Sequence, residues 1–98
     1  MRYHRQNEIS RKAKQQYFAN NVPCWICELP IPDSIVSSRH PLFGTIDHMI
    51  AKSAGGTDAL TNRAPAHRCC NAIKASQEVT PALRYKCFHA AMTAFSKL

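Results

Sequence analysis

Apolar positions along this chain change their spacing several times, and each change predicts a different element. In NEISRKAKQQYFAN (7–20), Ile9, Ala13 and Tyr17 recur every fourth residue behind Asn7, a capping residue, which predicts a helix. Asn20, Asn21 and Pro23 end it. Residues 28–41 hold three prolines with Asp and Ser and predict an irregular loop, extended at most around Ile35–Val36. LFGTIDH (42–48) is strand-like, AKSAGGTDA (51–59) is a loop turning at Gly55-Gly56, and LTNRAPA (60–66) can return as a second strand. HRCCNAIKASQ (67–77) reads as a helix, and Thr80-Pro81 starts a last one, proline suiting the first helical position. Leu83, Cys87, Phe88, Ala91, Phe95 and Leu98 form its apolar stripe, which predicts core packing. No internal repeat or low-complexity tract breaks this order. The reading is an α+β chain forming one domain over 1–98: an N-terminal helix (1–22), a knuckle and hairpin leading into a helix (23–76), and a C-terminal helix (77–98).

Composition narrows the function. With 98 residues a hydrophobic core alone gives marginal stability, and five cysteines with five histidines make a structural metal a natural supplement. No apolar run approaches the roughly 20 residues of a membrane span. The polar, basic opening MRYHRQNEIS does not read as a signal peptide, so a cytoplasmic protein without a membrane partner is expected. In that compartment thiols stay reduced, and clustered cysteines bind metal more often than they pair. The net charge is +7 and the pI about 9.5, which favours a polyanionic partner. Basic residues gather at Arg2, Arg5, Arg11, Lys12 and Lys14, and again at Arg63, Arg68, Lys74, Arg84 and Lys86. Neither stretch has the strongly apolar opposite face of a membrane-surface helix.

Cys24 and Cys27 bracket Trp25 and Ile26 as a C-x2-C pair, and His67 and Cys70 form an H-x2-C pair far downstream. Together they supply four ligands for a closed tetrahedral Zn²⁺ site. Helical geometry chooses between the adjacent cysteines: His67 and Cys70 fall within ~60° of each other, whereas Cys69 lies ~160° from His67. Cys69 should therefore face away. A redox role for the first pair is disfavoured, because it precedes a proline-rich loop rather than opening a helix after a strand. Cys87, on the apolar stripe, is most simply core. His4, His40 and His89 have no spaced partner and read as surface residues or as supports behind a site.

A second constellation combines Asp47-His48 at a strand end with Asn62 and Asn71. Each alone has an ordinary explanation: a turn, a solvated imidazole, a helix-surface amide. The combination does not. I-D-H-M-I (46–50), G-G (55–56), T-N-R (61–63) and P-A-H-R-C-C-N-A-I-K (65–74), with CWIC, resemble the HNH endonucleases, the His-Me finger or ββα-metal group, over residues 24–74. The likeness is strongest to the small zinc-stapled members from phages and actinobacteria. It implies a treble-clef-like ββα core stapled by a Cys₃His zinc site, with flanking helices outside the match. It also implies Asp47 and Asn71 as ligands of one divalent ion, His48 as general base, and Asn62 as a brace for the loop near His48. Two positions depart from the commonest pattern: Asn71 stands where many relatives have His, and His67 where many have Cys.

The residues support the same chemistry. Phosphodiester hydrolysis needs an activated water, charge on the phosphate and help for the leaving oxygen. An imidazole can take the proton, and a carboxylate with an amide oxygen suits Mg²⁺ or Mn²⁺. Adjacent strand residues point to opposite faces, so the strand must bend or end at Asp47-His48 for both to serve one point. Lys74, Arg68, Arg63 and Lys52 are candidates for phosphate contact, with Arg11 and Lys12 on the basic N-terminal helix. The expected function is DNA hydrolysis of low sequence specificity, which by resemblance leaves 5′-phosphate and 3′-hydroxyl ends. By the same resemblance, a phage role in genome packaging beside terminase or portal proteins is expected ahead of restriction or homing. The competing reading is a zinc-stapled nucleic-acid-binding accessory protein without catalysis. Oligomeric state and recognition sequence are not legible.

Overall fold

The runs GTIDH and RAPAH, on either side of a glycine-bearing loop, form two strands. In the computed structural model, which describes residues 16–98, β1 (Gly44–His48) pairs antiparallel with β2 (Arg63–His67). The register places Gly44 opposite His67, Asp47 opposite Ala64 and His48 opposite Arg63. The connection carries 3₁₀ turns at Lys52–Ala54 and Leu60–Asn62. The two glycines between them have separate reasons. Gly55 has φ +95°, which side-chain-bearing residues rarely adopt, and a Cβ on Gly56 would stand 1.8 Å from the Ile50 carbonyl oxygen. The second strand therefore starts at Arg63, not at Leu60 as its pattern suggests.

The helix after β2, α1, spans Arg68–Lys74 and is shorter than the expected 67–77. His67 stays extended, at φ −66° and ψ 146°, because it is still paired in the sheet. At the other end Ala75 turns to φ +50°, and the Lys74 amine reaches back to the Ala75 carbonyl at 3.4 Å. The second helix, α2 (Pro81–Ser96), is capped by the Thr80 hydroxyl, which accepts from the Leu83 amide at 3.2 Å. It packs on α1. Its inward line is Leu83, Cys87, Ala91 and Ala94, with Phe95 beside it. Two members of the expected stripe lie outside: Phe88, one helical step round from Cys87, and Leu98, beyond the helix end.

Residues 16–19 are helical, and the chain leaves that turn through Asn21 at φ +54°. The Tyr17 hydroxyl donates to the Arg63 carbonyl at 3.0 Å. The rest of the expected N-terminal helix, Arg11 and Lys12 included, lies outside the described residues. Ile35–Val36 forms no strand. The core joins Cys24, Ile26, Cys27, Leu42, Ala66 and Cys70 to the α2 line. Cysteine and alanine dominate it, so the hairpin and both helices meet around sulfur more than around hydrocarbon. No helix among the described residues is long and apolar enough to cross a membrane.

Candidate active site

Cys24, Cys27, His67 and Cys70 converge. All four are buried, and their ligand atoms lie within 4.8 Å of one another. The His67 Nδ1 is 3.3 Å from the Cys27 sulfur and 3.8 Å from the Cys70 sulfur. Tetrahedral coordination with Zn–S of about 2.3 Å and Zn–N of about 2.0 Å needs ligand atoms roughly 3.5–3.8 Å apart, so the set fits one such ion. His67 Nε2 lies 2.7 Å from the Pro30 carbonyl oxygen. Only a protonated Nε2 makes that bond, which leaves the Nδ1 lone pair facing the sulfurs. Hydrogen bonds with Cys27 and Cys70 hold the Cys24 thiol well below the usual thiol range. His67 meets Cys70 as expected, although it caps the helix from the strand rather than sharing a helical face. Cys69 is partly exposed and outside the four-residue group, although its sulfur stays 4.0 Å from that of Cys70.

A second group lies on the face of β1 that α1 covers. Asp47 is buried, and its Oδ2 accepts from the Trp25 indole Nε1–H at 3.0 Å. The Lys74 ammonium stands 3.4 Å from the same oxygen. Burial pushes the Asp47 carboxyl up, against the pull of the Lys74 charge and the Trp25 and Lys74 hydrogen bonds. Two residues back along the strand, Thr45 accepts from the Asn71 side-chain Nδ2 at 3.2 Å. Thr45 and Asp47 share a strand face by alternation, so Asn71 and Lys74, three residues apart on α1, both approach that face.

His48 is the last residue of β1, where the strand ends, and its ring engages the loop that follows. Its Nε2 is 2.9 Å from Asp58 Oδ1. Asp58 is also bound by Lys52 Nζ at 2.9 Å and by Arg63 at 3.2 Å, while the Arg63 Nε–H donates to its backbone carbonyl at 3.0 Å. Hydrogen bonds from Lys52 and His48 hold the Asp58 carboxyl down at about 2, so at neutral pH it is a carboxylate acceptor. Asn62 locks the same loop. Its Oδ1 accepts from the Ile50 amide at 2.9 Å, and its Nδ2 donates to the carbonyls of Ile50 at 2.9 Å and Thr57 at 2.8 Å.

Two residues expected to touch phosphate do something else. Lys74 is 1% exposed, with its amine on the His48 carbonyl at 3.0 Å as well as on Asp47. Arg63 is buried and spent on Asp58. Lys74 reaches the buried Asp47, and Arg63 lies beneath the partly exposed Asp58. Arg68 is exposed and bonds only the Arg39 carbonyl, at 3.2 Å, among the described residues; Lys52 is about half exposed. Trp25, Thr45 and Asp58 are the neighbours that sequence reasoning missed. For Trp25 a signal existed: an indole N–H in a small buried knuckle must find an acceptor.

Residues 24–77, more than half of the chain, match the family model described as HNH endonuclease. No curated protein and no solved structure matches the chain.

Proposed function

The chain belongs to the HNH endonuclease family, and from that premise we propose that it is a metal-dependent endonuclease hydrolysing DNA phosphodiester bonds with His48 as general base. Family membership supplies the nuclease-type, metal-dependent activity on nucleic acid. The observation that carries the role of His48 is its 2.9 Å contact with Asp58. A carboxylate held by Lys52 and Arg63 accepts the Nε2–H and leaves Nδ1 as the unprotonated nitrogen. An imidazole so oriented can take a proton from an attacking water. Asn62 and Asp58 together hold the loop that carries this geometry.

Asp47 and Asn71 are assigned to a Mg²⁺ or Mn²⁺. Asn71 commits its amide nitrogen to Thr45, which leaves the amide oxygen as the available donor. When bound, such an ion supplies charge to the scissile phosphate and the leaving oxygen. Cys24, Cys27, His67 and Cys70 are assigned to a structural zinc. The net charge of +7 and exposed Arg68 suit a phosphate backbone. For the biological setting we carry the resemblance to small phage proteins one step, to a packaging nuclease; an encoding gene far from any terminase or portal gene would count against it.

Plasmid nicking with Mg²⁺ or Mn²⁺ tests the enzyme. The wild type should cleave, and His48→Ala should lose roughly 10²–10⁴-fold in rate, the usual contribution of a general base. Equal cleavage by both removes His48 from that role. Cleavage by neither, with any ion, leaves a zinc-stapled binding module.

A further inference from the structure

Trp25 sits inside the C-x2-C pair, yet its side chain reaches out of the sulfur cluster to the other group. Its backbone is fixed on both sides: the amide donates to the Pro65 carbonyl at 2.9 Å, and its carbonyl accepts from Arg84 Nη1 at 3.1 Å. An indole has a single polar atom, so a ring anchored at that backbone aims one donor in one direction. That donor meets Asp47 Oδ2 at 3.0 Å. Lys74 flanks the same oxygen at 3.4 Å, and its ammonium lies 5.8 Å from the indole centroid. A charge-assisted ammonium–carboxylate bond closes to about 2.7–2.9 Å. Lys74 is held off that distance by its bond to the His48 carbonyl. Asp47 Oδ1 takes no hydrogen bond among the described residues. Among the described residues no fully buried polar side-chain atom lacks a partner, so Oδ1 meets solvent.

We propose that Trp25 is a positioning residue for the divalent-ion site. It pins Oδ2 so that Oδ1 is presented to the ion, and it keeps the carboxylate from collapsing onto Lys74 with both oxygens. The proposal rests on the reading that Asp47 holds that ion. It makes the sulfur knuckle and the oxygen site one unit, because the residue that orients Asp47 is itself placed by the Cys24–Cys27 turn. Ion affinity at Asp47 therefore depends on an intact knuckle.

The test uses the zinc-loaded full chain titrated with Mn²⁺, free ion being read by electron paramagnetic resonance. Trp25→Phe keeps an aromatic ring and removes the N–H. It should weaken Mn²⁺ binding by roughly tenfold to a hundredfold, as loss of a ligand-orienting partner does, with one zinc still bound per chain. An indole with only a packing role would instead lower the melting temperature and leave Mn²⁺ affinity alone. Trp25 is the chain's sole tryptophan, so the wild type gives a second reading without any variant. Its emission should shift on saturation with Mg²⁺, which does not quench, at the midpoint of ion binding. Equal Mn²⁺ affinities for wild type and variant, or emission indifferent to Mg²⁺, overturn the role of Trp25 while leaving the ion site in place. No second ion on the wild type removes the site, and with it the proposal.

Discussion

Adjacent thiols at Cys69 and Cys70 meet different surroundings because α1 turns about 100° per residue. Cys70 is buried among the ligand group, while Cys69 is partly exposed beside it. Cys87 is buried on the inner face of α2, and burial pushes its thiol up to about 11. At pH 8 only about one in a thousand Cys87 thiols is then ionised, and the thiolate is the reactive form. Iodoacetamide on the zinc-loaded protein should modify Cys69 first and spare Cys87, read by peptide mass mapping; early labelling of Cys87 would contradict its placement. At this scale the ligand residues were legible, since cysteine and histidine at paired spacings have few other uses. The direction of a flexible cation was not. Lys74 and Arg63 carry the charge their letters announce, but only the fold shows that both are buried, Lys74 against Asp47 and Arg63 beneath the partly exposed Asp58.

The α2 helix owes its start to one side chain. The Thr80 hydroxyl takes the Leu83 amide, and Pro81 follows without an amide to satisfy. Thr80→Ala should cost about 1 kcal/mol and lower the melting temperature by about 4–8 °C, measured by far-ultraviolet circular dichroism; an unchanged melt would show that packing alone holds the helix. The α2 helix was legible from its start signal and periodicity, α1 as the helical run after the hairpin, and the strands from β-prone runs between turn residues. Their limits were not. Asn62 looks like the opening of a strand, but its side chain must face Ile50 and Thr57, and Leu60–Asn62 curls into a 3₁₀ turn. His67 looks like the first residue of a helix, but the sheet keeps it extended. In both cases a contact distant in sequence outweighs a local preference.

Taken whole, the molecule has little hydrocarbon to stabilise it. Structural zinc sites in small domains contribute an apparent 10–16 kcal/mol or so, comparable to the roughly 5–15 kcal/mol that holds an ordinary domain together. A strong chelator should abolish the helical circular dichroism signal, and added Zn²⁺ should restore it; a spectrum indifferent to chelation would show that the core stands without metal. What the sequence by itself determined is the set of chemical parts and their order: four soft ligands in two pairs, one acid, one imidazole and two amides, spaced for a hairpin and a helix. Those follow from spacing and from the narrow chemistry of each residue type. The tertiary structure alone decided how the parts divide. Asp47 meets Trp25 of the knuckle and Lys74 of α1, while His48, at the end of β1, meets Asp58 of the loop. Which partner each then meets depends on elements folding back from 10 to 27 residues away, and no local pattern encodes a contact made across that much chain.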